Sequence, residues 1–277
     1  MASRTKRAPM IVVHLLLLCG VALVAYPLLW GLVTAVKPVG EIVRFPPQFL
    51  PSSLTFVNFQ RALVFQPLLL FIRNSVVQAG VITIGQLITA TLAAYAFARL
   101  EFRGRQALFY ATLASMMIPI QVIMVPLYGF VTSLGWSDTF FGLTVPFLAH
   151  GFSIFLMRQA FLSIPRDIEE AAIIDGCGKL RSLLYILVPS AKASLGAATI
   201  FTAVYHWNTY IWPLLITSAT GRRTVQPGLA MYIEIEAGTD MGRLMAAALI
   251  VALPTVLAFM ISQRSFVRGV TMTGLKG

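Results

Sequence analysis

Between Met10 and Val36 the chain runs without a single Asp, Glu, Lys or Arg. A stretch of that length and composition is wrong for a surface helix of a soluble domain, and it is long enough to cross a hydrocarbon layer of about 30 Å as one helix. Comparable runs follow at about 68–98, 107–133, 140–162, 195–217 and 244–262. Backbone N–H and C=O groups find no water inside hydrocarbon, so each run has to satisfy its own groups by coiling into a helix. The chain is therefore predicted to be an all-α membrane protein. It has a short segment at 1–9, six transmembrane helices in a single domain over 10–277, and a polar loop at 163–192. Charged residues make up 11% of the 277 residues, against about 25% in soluble domains. The basic start, MASRTKR, suits a signal peptide, but the apolar run after it far exceeds the 7–15 residues of a signal core. It is taken as an uncleaved first span.

The formal net charge is +11. On a soluble protein that would point to nucleic acid; here it follows from Lys and Arg retained on the cytoplasmic side, and no nucleic-acid partner is expected. Six spans put both ends on one side. Most of the 21 Lys and Arg residues then share that side: Arg4, Lys6 and Arg7 at the N-terminus, Arg99, Arg103 and Arg105 in the first inner turn, Arg158, Arg166, Lys179, Arg181 and Lys192 around the polar loop, and Arg264, Arg268 and Lys276 in the tail. Both termini and the 163–192 loop are placed in the cytoplasm. Cys19 and Cys177 are too far apart in this topology for a disulfide framework.

The loop reads SIPRDIEEAAIIDGCGKLRSLLYILVPSAK. Pro165 suits a helix start, where its missing N–H is harmless, and Asp167, Glu169 and Glu170 crowd the positive end of the helix dipole. Ile168, Ala171 and Ala172 share one face, with alanines small enough for close approach of another surface. Gly176 and Gly178 allow the helix to stop and the chain to turn, and a second apolar segment, Leu180–Val188, ends at Pro189. The spacing Glu170-Ala171-Ala172, Gly176, Ile186, Val188-Pro189 resembles the signature loop of ABC importer permeases, with Val188 where that family usually has Leu. The alternative is an ordinary interfacial helix between two spans.

Other stretches resemble the same family in its carbohydrate-uptake branch, the maltose and glycerol-3-phosphate type: Asn58-Phe59 ahead of the second span, Ala93-Ala94-Tyr95-Ala96-Phe97-Ala98-Arg99 closing it, Ile118 to Tyr128, and Trp207-Asn208 followed by Trp212-Pro213-Leu214-Leu215. The resemblance implies the smaller six-span permease of a bacterial inner-membrane importer. Its loop would be a coupling helix with Glu169, Glu170, Ala171, Ala172, Asp175 and Gly176 as the residues that engage an ATPase. The implied partners are a second permease, two ATP-binding subunits, an extracytoplasmic solute-binding protein and membrane lipid. ATP and Mg would sit in the partner ATPase, with no cofactor bound by this chain.

Within the spans, Pro119 and Pro126 predict a kink or unwound turn, with Gln121 and Tyr128 nearby. His150 is costly in lipid unless it faces protein or water. Tyr205-His206-Trp207-Asn208-Thr209-Tyr210 is the most unusual polar cluster in the apolar runs. Aromatic rings can stack on sugar faces while amide, imidazole and phenol groups bond hydroxyls. Gln121, Tyr128, His150, Tyr205, Trp207, Asn208 and Tyr210 are therefore candidates for the translocation pathway; the alternative is an aromatic belt with polar groups that serve helix packing. Arg73 and Arg158 are expected to snorkel to the interfaces.

A phosphate-binding Gly-x-x-x-x-Gly-Lys-Ser/Thr loop is absent, as are a Gly-x-Ser-x-Gly elbow and a His-Glu-x-x-His metal motif. His14, His150 and His206 fall on separate spans. No catalytic or metal-ligating residue is assigned. The competing class is a stand-alone secondary transporter or channel, which would need neither an ATPase nor a solute-binding protein.

Overall fold

The computed structural model describes residues 7–233 and 238–271, with side chains over 10–233 and 238–260. Arg4 and Lys6, Glu234 and Glu236 of the external segment, and Gly274–Gly277 of the tail lie outside the described residues. Every regular element among those described is helical.

In chain order the helices are α1 (Arg7–Val36), α2 (Val57–Phe65), α3 (Leu68–Arg99), α4 (Arg105–Ser115), α5 (Ile120–Ser133), α6 (Phe140–Thr144), α7 (Gly151–Leu162), α8 (Arg166–Ile174), α9 (Lys179–Ser190), α10 (Lys192–Trp207), α11 (Ile211–Ile216) and α12 (Met241–Thr271). Short helical turns lie at Val39–Ile42 and Val225–Ala230. α1, α3 and α12 are each long and apolar enough to cross a membrane alone. The other apolar stretches are pairs of helices bent at a break: α4 with α5 by 97°, Phe140–Phe147 with α7 by 43°, and α9 with α10 by 81°. Counting each pair as one pass gives six.

The breaks have local causes. Met116–Pro119 separates α4 from α5, and Pro119 caps α5 with extended backbone, so the kink or unwound turn expected there is a break of 97°. Pro126 stays inside α5. Between α6 and α7, Val145–Phe147 forms a tight turn and His150 is extended. The expected span over 195–217 is likewise divided: α10 stops at Trp207 and α11 starts at Ile211.

The chain falls into two compact units, Met1–Leu69 with Gly228–Leu253, and Leu70–Pro227 with Pro254–Gly277. In the first, α1 presents Met10 to Leu29 as exposed apolar surface. Its C-terminal end is tied down by Asn58 at the start of α2. The Asn58 amide donates to the carbonyls of Ala35 at 3.0 Å and Lys37 at 2.8 Å, groups that a helix end would otherwise leave unbonded. Asn58 was legible only as part of an Asn-Phe pair, and this is its physical job. Arg61 pairs with Asp240 at 2.5 Å, Arg243 stacks on Phe65 at 3.5 Å, and the Tyr232 hydroxyl donates to Ala62 O at 2.7 Å. These contacts knit α2 to the segment leading into α12.

In the second unit, one face of α3 carries Ala90, Ala94 and Ala98. Those small residues let Met157 and Phe161 of α7 and Leu183 and Leu187 of α9 pack against it as a buried cluster. A smaller cluster of Val131, Leu143, Trp212 and Ile216 joins α5, α6 and α11. The loop after α11 is wired tightly. Asp138, with φ +59°, accepts from the backbone N–H groups of Ser218 and Ala219. Asn74 donates to the carbonyls of Gly221 and Arg223 at 3.0 and 2.8 Å.

Candidate functional site

Two places in the second unit concentrate polar chemistry. The first is centred on Gln86, in the middle of α3 and buried. Its amide nitrogen donates to Phe147 O at 2.8 Å and lies 3.2 Å from His206 Nε2. Its amide oxygen accepts from the hydroxyls of Ser153 and Thr202, both at 3.2 Å. The hydrogen bonds fix the amide orientation and leave His206 Nε2 as an acceptor, so the imidazole proton belongs on Nδ1. One turn on, Thr89 Oγ1 donates to Leu148 O at 2.8 Å. The break between α6 and α7 frees carbonyls at Phe147 and Leu148, and α3 supplies a donor for each. This is how an interrupted helix is tolerated at membrane depth. Gly85 has no Cβ because a Cβ there would stand 2.5 Å from Leu148 Cδ2.

Around this hub lies a cavity of about 430 Å³. Its wall includes Gln86, Ser115, His150, Ser153, Thr202, Tyr205 and His206, with Met116, Phe147 and Phe201 as apolar cover. Among the described residues, no Asp, Glu, Lys or Arg contributes to it. The arrangement offers hydroxyl, amide and imidazole groups beside aromatic faces, which suits an uncharged, hydroxyl-bearing moiety.

The sequence-predicted pathway residues divide here. His150 and Tyr205 line the cavity. Trp207 is buried at the end of α10. Asn208 caps that helix, donates to Val204 O at 2.8 Å and accepts from Gln226. Tyr210, Gln121 and Tyr128 are exposed and not on the cavity wall. Gln86, Ser153, Thr202 and His206 were not among the candidates. A Gly-Gln pair followed three residues later by Thr, in the middle of an apolar run, was the signal that could have found the hub. Arg158 stacks on Phe109 at 3.9 Å and donates to Phe97 O at 3.3 Å.

The second place is the polar loop. α8 begins after Pro165, whose φ of −55° and ψ of 139° set the helix start. It ends with paired bonds, Gly176 N to Ile173 O at 3.0 Å and Cys177 N to Ala172 O at 2.9 Å, and Gly176 takes φ +83°. This is a Schellman stop, and it explains why glycine stands at that position. α9 then folds back, with Leu183 and Leu187 in the α3–α7 cluster and a wide π-type turn over Leu183–Leu187.

The outer surface of the loop is apolar with a charged rim. Ile168, Ile173, Ile174, Leu180, Leu184 and Tyr185 are exposed, Ile174 at 85%, and Glu170, Ala171, Asp175, Gly176, Lys179 and Arg181 are exposed beside them. Ala172 is half-buried. Glu169, grouped in the sequence with Glu170, faces the opposite way. It is buried, with Oε2 3.1 Å from Arg99 Nε in an ion pair without hydrogen-bond alignment. Its other oxygen accepts from the Tyr95 hydroxyl at 3.2 Å. The outward-facing member of the pair is Glu170.

Residues 48–272 match the protein family described as binding-protein-dependent transport system inner membrane component. The chain is 32% identical over 268 residues to the sn-glycerol-3-phosphate transport system permease protein UgpE of Brucella suis biovar 1 (strain 1330), covering 94% of this chain and 95% of that protein. It is 33% identical over 270 residues to the protein of the same description from Rhizobium meliloti (strain 1021), with 94% and 95% covered. Among solved structures it resembles a chain of a bacterial ABC transporter involved in the import of the acidic polysaccharide alginate, with a TM-score of 0.87 at 24% identity over 95% of this chain and 98% of that one. A chain of the same kind of transporter, in complex with an alginate pentasaccharide-bound periplasmic protein, aligns with a TM-score of 0.61 at 15% identity, covering 94% and 96%. At these identities the structural likeness concerns the fold.

Proposed function

The chain belongs to the binding-protein-dependent transport system inner membrane components, and we propose that this ABC importer permease couples a separate ATPase, through α8 and α9, to a path for a hydroxyl-rich solute. The observation that carries the reading is the loop surface. An exposed apolar patch rimmed by charge marks an interaction site on a folded protein. Here it sits on a short helix whose sequence, Glu170-Ala171-Ala172 to Gly176, is that of the permease signature loop. Glu170, Ala171, Asp175 and Gly176 form the contact surface for the motor, and Ala172 sets how closely the two can approach. Two ATP-binding subunits holding ATP and Mg, a second permease and a solute-binding protein complete the assembly.

The relatives named for sn-glycerol-3-phosphate transport favour a solute of that size or a sugar. The cavity around Gln86 supports the hydroxyl-bearing part of such a solute, with His150 and Tyr205 on its wall. A phosphate or carboxylate would require a cation, which no described residue supplies to this cavity, and the second permease is where it would be supplied.

The test is purification from the native membrane in mild detergent, identification of the proteins that accompany the chain, and an ATPase assay on the complex. Co-purification of an ATPase and a second permease, with turnover raised by a loaded solute-binding protein, is the expected result. A lone chain that transports after reconstitution without ATP would overturn the reading.

A further inference from the structure

Arg99 occupies the last turn of α3, and its side chain is only 5% exposed. Its Nη2 donates to Phe161 O at 2.8 Å and Ile164 O at 2.7 Å. Its Nε faces the Glu169 carboxylate at 3.1 Å. The two carbonyls lie at the end of α7 and in the turn beyond it; the carboxylate lies in the first turn of α8. Three residues, Ser163, Ile164 and Pro165, join these helices. Ser163 and Pro165 are exposed, and Ile164 packs against the cluster of α3, α7 and α9. One planar guanidinium, rooted on a third helix, holds both sides of that turn. Tyr95, one turn earlier on α3, holds the remaining Glu169 oxygen at 3.2 Å.

We propose that Arg99, acting through Glu169 and steadied by Tyr95, is the positioning residue that makes α8 and α3 move as one body. Arg99 thereby carries motion of the loop along α3 to the Gln86 hub. The inference rests on the reading of α8 as the contact with an ATPase. Its physical basis is the geometry of the fork. Arginine carries its charge and its donors in one fixed plane, so two carbonyl acceptors on one side of the turn and a carboxylate counter-charge on the other are held in one arrangement, which lysine cannot reproduce. Because α3 is one uninterrupted helix, a displacement at Arg99 is delivered about 20 Å away at Gln86, counted at about 1.5 Å per residue. There, through the Phe147 carbonyl, it meets the break between α6 and α7. Packed elements of this kind switch between discrete arrangements rather than yielding smoothly.

The experiment uses the complete complex reconstituted in liposomes with its solute-binding protein, and reads uptake and ATP hydrolysis on the same preparation. Arg99→Met should assemble with the ATPases and hydrolyse ATP, while solute imported per ATP falls by about tenfold, the scale expected when one link of a coupling network is cut. Arg99→Lys, which keeps the charge but loses the fork, and Tyr95→Phe, which loses one hydroxyl, should fall by smaller factors. A role in stability alone would lower uptake and hydrolysis in proportion, leaving the ratio unchanged, and that result would overturn the inference. If Arg99→Met does not assemble, the two milder variants decide: a wild-type ratio in both refutes the proposal, and a reduced ratio supports it. Absence of ATP-dependent uptake by the wild-type complex would overturn the importer reading, and this inference with it.

Discussion

Replacing Gln86 with Leu preserves the side chain's approximate volume and removes every hydrogen bond it makes. Phe147 O, Ser153, Thr202 and His206 each lose a partner. In a soluble core each buried group left unsatisfied costs about 1–3 kcal/mol, and four would cost about 4–12 kcal/mol, comparable to the whole stability of a domain. The membrane reference state is less severe, because partly unfolded helices in lipid find other partners, and interhelical bonds there average about 0.6 kcal/mol. The lower figure governs, and four such bonds give roughly 2.5 kcal/mol. The assay is equilibrium unfolding of the purified permease pair in mixed micelles, comparing wild type with Gln86→Leu and with Gln86→Glu, which retains acceptors but loses both donors. Gln86→Leu should be destabilised by about 2–3 kcal/mol, with Gln86→Glu at least as affected because Phe147 O is left facing a carboxylate. A Gln86→Leu variant within about 0.5 kcal/mol of wild type would refute the view that α3 holds the α6–α7 break together.

Further expectations are open to direct test. At Gly176 no atom would meet an added Cβ, so the cost of substitution is conformational, set by φ +83°. Gly176→Val should lose about 1–2 kcal/mol locally and abolish uptake with normal membrane insertion, whereas Gly176→Asn, tolerant of left-handed backbone, should retain it; equal uptake by both would discredit the Schellman stop. Ile174→Asp places a charge in the exposed apolar patch of α8 and should reduce ATPase co-purification by roughly tenfold, or about 1.4 kcal/mol; undiminished recovery of the ATPase would remove α8 from the interface. Burial pushes the Tyr232 phenol up to about 12, above its ordinary value of about 10. The folded state thus prefers the protonated phenol, and the stability this contributes is intact below about pH 10 and disappears as the pH rises toward 12. Tyr232→Phe should flatten that alkaline decline while costing about 1 kcal/mol at neutral pH for the bond to Ala62 O; a wild-type slope in the variant would speak against the assignment.

Apolar length and composition made the all-helical membrane fold legible, because hydrocarbon leaves a spanning chain few alternatives. Glycine and proline marked much of the local punctuation. Pro119 stands at a break, and Gly176 stops a helix for the reason its type suggests. What the sequence concealed depends on direction. Glu169 and Glu170 are neighbours of identical charge-bearing type, yet adjacent helical residues point about 100° apart, and which of them turns inward depends on where Arg99 lies, 70 residues away. Gln86 was hidden differently: a single amide in an apolar run carries no periodic signal, and its importance comes from carbonyls freed in another helix. The break at 148–150 was missed because Pro146 and Gly151 only flank it. The aromatic cluster after Tyr205 was read as one group, but the end of α10 sends Tyr205 to the cavity and Asn208 to a helix cap.

Asn58 has a consequence for how the chain is made. The carbonyls it bonds, on Ala35 and Lys37, belong to residues synthesised 23 and 21 positions earlier. The first span can therefore enter the membrane complete in its apolar content while its outer end still lacks the partners that finish it. Those partners arrive only when the start of α2 has emerged on the far side. Until Asn58 is made, those carbonyls are left to water, so the end of the first span is fixed in place only after the next helix has begun.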